Sequence, residues 1–295
     1  MSGQILRGTV DNHIHCCPHI NERSTNIFEV VRYAEKHKMY AIGLMDNFSN
    51  TSGYASLVKK FFPKLKLKVF GGLIMEPPSG GVSLENVKIA LNYSYFKNDG
   101  AKFISFPTHH TRYIAKIEKR KKSYIKKCFF VPANGPTKET KEILKLIAKN
   151  KLVLNTGHLS DEETINLVRA AKKMGVKKIL VPSNTFNEET IYKLKKFKVK
   201  FEFSYFFISS ATSVPLTHVD GEKHKIKGTN EDKLKILIKA ANPKNVILSS
   251  DCGVFVLPKP HIGFSKFINK VIKLGFSKKE IEYMIKINSK KLFNL

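Results

Sequence analysis

A single (β/α)8 TIM barrel, of the α/β class, is the fold predicted for this chain, and three observations predict it. Short apolar runs alternate with amphipathic helical segments eight times. The 295 residues contain no low-complexity segment and no obvious domain break. No Gly-x-Gly-x-x-Gly follows the first apolar run, which sets a doubly wound open sheet second.

The units follow in order. "GTVDNHIH" (8–15) reads as a strand and "NIFEVVRYAEKHKM" (26–39) as its helix. "YAIGLMDN" (40–47) precedes "SGYASLVKKFF" (52–62), and "LKVFGGLIME" (67–76) precedes "SLENVKIALNYSYFKN" (83–98). The fourth strand, "AKFISFPTHH" (101–110), is followed by a long basic connection and then the helix "TKETKEILKLIAKN" (137–150). The fifth, "LVLNTGHL" (152–159), leads into "SDEETINLVRAAKKMG" (160–175), where Ser160 and Glu163 have capping-box spacing. "KKILVPSN" (177–184) pairs with "NEETIYKLKKF" (187–197). "VKFEFSYFFIS" (199–209), read as barrel core with Tyr205 available to a pocket, is separated by an insertion from "NEDKLKILIKAAN" (230–242). "NVILSSDCG" (245–253) and "FSKFINKVIKLGF" (264–276) complete the eighth unit, and an extra C-terminal helix, "KKEIEYMIKINSKKLFNL" (278–295), follows. One domain over 1–295 is expected, with insertions near 111–136 and 211–229. Strands that alternate with helices run parallel.

Composition narrows the function classes. With 42% hydrophobic residues the chain can bury a sizeable core. No segment approaches the roughly 20 apolar residues that span a bilayer, and "MSGQILRGTV" (1–10) lacks the apolar core of a signal peptide, so a cytoplasmic protein is expected. Four cysteines, two of them adjacent at Cys16 and Cys17, make reduced thiols the expectation. The net charge of +28 has two readings, an anionic partner or a lysine-rich proteome. Lysines fall on nearly every predicted helix, which favours the second; the densest run, "KIEKRKKSYIKK" (116–127), remains a local anion-site candidate.

In such a barrel the C-terminal ends of the strands converge on the active site. Those ends deliver His13 and His15, Asp46 and Asn47, Glu76, His109 and His110, His158, Asn184 and Asp251. Two residues apart on a strand, His13 and His15 share a face, so both imidazoles can reach one ion at about 2.0–2.1 Å. With His158 and Asp251 they form a nitrogen–oxygen ligand set suited to a divalent metal, zinc first, with manganese, iron or nickel as alternatives. A metal in that set makes water acidic enough to act as a nucleophile near neutral pH. Asp251 is either a ligand or the general base, and Asp251 and His158 are the candidate catalytic pair. His261, in "PKPHIGF" (258–264), sits on a loop over the rim as a substrate candidate. Arg23 and Lys259 are candidates for an anion contact. His19, His37, His218 and His224 read as solvated helix or loop histidines, and Cys16 and Cys17 as thiols beside the site.

"DNHIH" on the first strand, a histidine on the fifth, "SSDCG" on the eighth and the closing "NSKKLFNL" resemble the amidohydrolase superfamily of metal-dependent hydrolases. "VDNHIHCCPHINER", "LMDNFSNTSGYASLVKKFFP", "VFGGLIMEPPSGG" and "FPTHH" are similar to an uncharacterised barrel branch of that superfamily. The resemblance implies a centre of one or two metals and hydrolysis of an amide, ester or related bond in a small molecule. It also implies ligand roles for His13, His15, His158 and Asp251. This chain departs from the pattern at the ends of strands two and six, where Asn47 and Asn184 replace histidines, and it lacks the metal-bridging lysine of strand four. Glu76, His109, His110, Asn47, Asn184 and His261 are therefore the second-metal or substrate candidates. Two other hydrolase-barrel readings stand beside this one: a phosphoesterase of the histidinol-phosphatase-like type, and a degenerate barrel that binds a ligand without turnover. A nucleic-acid-binding role for the 112–127 segment has no recognisable motif behind it. The expected partner is a small-molecule substrate, an anionic one included, with no membrane; a homo-oligomer is left open.

Overall fold

A computed structural model describes residues 2–217 and 223–295. Eight strands lie in one parallel sheet in chain order: β1 (Val10–Ile14), β2 (Ala41–Leu44), β3 (Lys68–Ile74), β4 (Phe103–Ser105), β5 (Val153–Asn155), β6 (Lys178–Pro182), β7 (Lys200–Ser204) and β8 (Val246–Ser249). The seam between β1 and β8 is closed just beyond the strand ends. There the Asp251 N–H donates to the His13 carbonyl (2.9 Å) and the His15 N–H to the Cys252 carbonyl (2.8 Å). The predicted barrel is therefore the observed one.

Eight main helices surround it: α1 (Ile27–Lys36), α2 (Thr51–Phe61), α3 (Leu84–Asn92), α4 (Lys138–Lys149), α5 (Asp161–Lys173), α6 (Glu188–Lys195), α7 (Glu231–Ala241) and α8 (Pro260–Lys273). Each buries one stripe against the outside of the strands. On α4 that stripe is Thr140, Ile143, Leu144 and Ile147, spaced at three and four residues, with the lysines outside. The Ser160/Glu163 capping box that the sequence predicts at the start of α5 is present. A second one, Asn26 with Glu29, opens α1.

The barrel interior splits into an apolar floor and a polar mouth. Val10, Ala41, Phe70, Phe103, Val153, Leu180 and Ile247 fill the floor, one from most strands, and the final helix (Asn288–Phe293) adds Leu292 and Phe293. The Phe70 and Phe293 rings lie 4.6 Å apart. The extra C-terminal helix is thus a plug under the barrel, and it is preceded by a π-helical turn over Tyr283–Ile287. The floor closes one end, so ligands must enter by the other.

Three local departures from the expected elements have physical reasons. β7 ends at Ser204, five residues early, because Tyr205 turns helical (φ −63°, ψ −34°) and starts a 3-10 turn. Tyr205 then packs on Phe267 of α8, away from the mouth. The first insertion folds as two short helices, Arg112–Ile117 and Lys122–Lys127, instead of a loop. There Arg112 lies over Phe130 (3.4 Å) and Arg120 over Tyr124 (3.9 Å), so two of its cations are spent on the chain's own rings. The second insertion includes a two-stranded ribbon of Leu216–Thr217 and Lys223–His224, and residues 218–222, His218 among them, lie outside the described residues.

Candidate metal centre

The centre starts with an irregularity in β1. Opposite β2, Asp11 faces Ile42 and Ile14 faces Leu44, so β1 carries one extra residue. This bulge turns two successive side chains, Asn12 and His13, to the same side. Both reach one carboxylate oxygen: Asn12 Nδ2 donates to Glu202 Oε1 at 2.8 Å, and His13 Nδ1 lies 3.3 Å from it. His15, two residues on, points the same way, with its ring centroid 5.2 Å from that of His13.

Asp251 comes to meet them from the end of β8. Its backbone is in the left-handed region (φ +50°), a conformation that costs a non-glycine residue of order 1 kcal/mol. The seam bond to the His13 carbonyl holds it there. The turn continues through Gly253 (φ +125°), where a Cβ would stand 1.6 Å from the His15 carbonyl oxygen. Only glycine lets the two strand ends approach so closely.

Three donor atoms converge as a result. His13 Nε2 lies 3.3 Å from Asp251 Oδ1 and His15 Nε2 lies 3.2 Å from the same oxygen. An ion with tetrahedral bonds of about 2.0–2.1 Å has ligand-to-ligand edges of about 3.3–3.4 Å, so these spacings fit one ion. Among the described residues this is the group of histidine, cysteine and carboxylate side chains compact enough to hold a metal. The donor chemistry, two imidazole nitrogens and one carboxylate oxygen, fits zinc and the neighbouring divalent ions.

Charge is tightly coupled here. Burial disfavours a charged His13, but Asp251, Glu202 and Asp11 overcome it and raise its pKa to about 9. Burial pushes Asp251 up, and the charge of His13 with the hydrogen bond from His15 outweighs it, leaving Asp251 at about 2. His158 is lowered to about 4, chiefly by burial, so it is neutral at physiological pH. Asp11 points away from the mouth and accepts from the Ser250 N–H (2.9 Å); burial raises it to about 7.

Above these atoms opens a cavity of about 240 Å³. Seven of the candidates from the sequence line it: His13, His15, His158, Asp251, Asn47, His109 and Arg23. His158 faces the cavity with its ring edge-on to Phe207, outside the compact three-residue cluster.

The other candidates are placed elsewhere. Glu76 is buried, and its carboxylate is consumed by the loop after β4: Oε1 accepts from the N–H groups of Thr108 and His109 (both 2.6 Å), Oε2 from that of His110 (3.1 Å). It shapes that loop and does not reach the cavity. His110 is turned outward onto the Tyr124 hydroxyl (3.3 Å) and the Lys127 carbonyl (3.2 Å). Asn184 faces a small side pocket and accepts from the Ser204 N–H (3.1 Å), while the Ser204 hydroxyl donates to Asp251 Oδ2 (3.2 Å). It therefore acts on Asp251 through Ser204. His261 does not overhang the rim; it stacks between Tyr33 (4.4 Å) and His37 (5.2 Å) against α1. That stack also removes His37 from the solvated histidines. Lys259 is held by the Tyr33 hydroxyl (3.2 Å) and Glu29 (3.5 Å). Cys16 is in the core, where burial pushes its thiol up to about 12.

Two residues were misread from the sequence. Glu202 stands in "KFEFS", which reads as apolar core. The signal was the lone acid in a strand whose alternation places it with Ser204 toward the barrel interior. His19, expected in solvent, has a side chain only 2% exposed and lines the cavity beside Arg23.

Comparison with known proteins adds the following. A model of a family of unknown function (DUF6282) matches residues 8–200. No curated protein matches. Among solved structures, a putative 2-pyrone-4,6-dicarboxylic acid hydrolase from Pseudomonas putida is similar at 12% identity, with TM-score 0.62 and 97% of each chain covered. An organophosphorus hydrolase from Deinococcus radiodurans is similar at 9% identity and TM-score 0.59, covering 99% of this chain and 93% of its own. An amidohydrolase from Pseudomonas aeruginosa is similar at 9% identity and TM-score 0.60, covering 99% and 97%. At such identities the likeness is one of fold, a (β/α)8 barrel.

Proposed function

The chain belongs to the DUF6282 family, and from that premise we propose that it is a metal-dependent hydrolase of the amidohydrolase type, acting on an amide, ester or related bond of a small molecule. The observation that carries this is the meeting of His13 Nε2, His15 Nε2 and Asp251 Oδ1 at 3.2–3.3 Å under an open cavity. The hydrolase names carried by proteins of the same fold support it.

A divalent ion held by these three residues supplies a Lewis acid and water that ionises near neutral pH. Zinc is the first choice, and one ion is the number the compact cluster favours. The chain's own groups do the rest. Glu202 accepts the Nδ1 proton of His13, which fixes the tautomer that presents Nε2 to the ligand position. Ser204, steadied by Asn184, occupies Asp251 Oδ2 and leaves Oδ1 toward the histidines. Asp251 is the base that takes a proton from attacking water. His158, neutral beside a dication, either completes the ligand set or hydrogen-bonds the group being cleaved. Asn47 and His109 hold substrate across the cavity, and no second-metal role is assigned to them.

The experiment is elemental analysis of purified protein, after reconstitution with zinc, manganese, iron or nickel, beside His13→Ala/His15→Ala. One ion per chain in the parent and none in the variant is expected. A parent that binds no metal refutes the proposal.

A further inference from the structure

Arg23 is a half-buried cation that pairs with none of the described carboxylates. It lies in the loop between β1 and α1 and lines the cavity on the side of His19. Its Nη2 is 2.6 Å from His19 Nε2, its Nε is buried without a hydrogen-bond partner, and it forms no ion pair with a described carboxylate. Asp46, whose field it feels, is committed elsewhere: Oδ1 accepts from the Phe48 N–H (2.9 Å) and Oδ2 from the Ser49 hydroxyl (2.8 Å). Burying a guanidinium N–H, here Nε, is costly unless something pairs with it. Lys259, the other candidate for an anion contact, is already paired, as described above. The apolar lining of the cavity comes from Phe206, Phe207, Val254 and Phe255, and Val254 is bridged to Arg23 along the backbone.

We propose that Arg23 is a carboxylate clamp, and that the substrate is a small carboxylic acid with an apolar body, held by its carboxylate at Arg23 with its reacting bond toward His13, His15 and Asp251. The planar fork of an arginine matches a carboxylate in two parallel hydrogen bonds. The placement of the reacting bond rests on the proposed metal centre; the clamp itself does not.

Calorimetric titration of the full chain with benzoate, phenylphosphonate and benzylammonium tests it, once with metal loaded and once after stripping with chelator. Benzoate is expected to bind in both states, more tightly than phenylphosphonate, and benzylammonium not to bind. Arg23→Gln is expected to weaken benzoate roughly tenfold to hundredfold with metal content unchanged. Arg23→Lys keeps the charge and loses the fork; it should fall between the two, and it replaces Arg23→Gln if that variant does not fold. Unchanged benzoate affinity in either variant, tighter binding of phenylphosphonate, or no benzoate binding to the stripped parent overturns the clamp. Failure of the metal centre alone would show instead as an absence of bound ion with benzoate binding intact.

Discussion

Glu202→Gln separates two effects that the structure superimposes on His13. In the metal-free protein, Asp251, Glu202 and Asp11 lift the His13 pKa from 6.5 to about 9 against burial. At 1.36 kcal/mol per unit this is about 3 kcal/mol of preference for the protonated ring. A metal must displace that proton, so at pH 7 its affinity stands about two decades below the alkaline limit. Glutamine at 202 removes one of the charges that hold the proton, and it also weakens the grip that orients the ring, which is worth about tenfold to hundredfold in metal affinity. The two effects oppose each other at low pH and not at high pH. Zinc affinity, measured by competition with a chromophoric chelator from pH 6 to 9.5, should rise about one decade per pH unit in the parent and level off near pH 9. The variant should level off at a lower pH and lie below the parent on the plateau, with the gap narrowing as pH falls. Parallel curves for the two proteins, or a parent that is flat below pH 8, would refute the assignment of His13 as a ligand backed by Glu202.

Asp251→Ala removes the oxygen shared by both histidines and should abolish stoichiometric metal by elemental analysis; retention of one ion per chain would move the site elsewhere. Glu76→Ala strips three N–H groups of a buried acceptor and should lower unfolding free energy by about 2–4 kcal/mol in urea titrations, with metal content retained. Gly253→Ala forces a methyl group into the His15 carbonyl, so a fall in melting temperature together with loss of metal is expected. For Asp11, a pKa raised from 3.8 to about 7 means stability fully present below pH 3.8 and lost as pH rises through 7. The metal-free Asp11→Asn variant should lack that decline, and an unchanged pH profile would locate it in another group.

The barrel was legible because eight alternations of period leave few ways to fold, and because polar residues at successive strand ends define a rim. His13, His15, His158 and Asp251 followed from that rim. What was hidden depends on details that alternation does not carry. The bulge at Asn12–His13 has no marker in "VDNHIH", so the inward turn of two consecutive residues was invisible. Glu202 was masked by its aromatic neighbours. His19 sits in a loop, where no periodicity says which way a side chain points. Glu76 looked like a ligand because a strand-end carboxylate does; that its oxygens are taken by three consecutive N–H groups is a property of the next loop's path.

The seam of the barrel has a consequence for how the protein matures. Ser250 and His13 are 237 positions apart, yet they join the same strand pair. On a ribosome adding about 5–20 residues per second, His13 and His15 wait roughly 10 to 50 s before Asp251 exists to face them. An ion bound between them would rivet the first strand to the eighth, tying metal acquisition to the last act of ring closure. Stripping the ion should then show first as faster amide exchange along that one joint, while the strands on the far side of the ring stay protected.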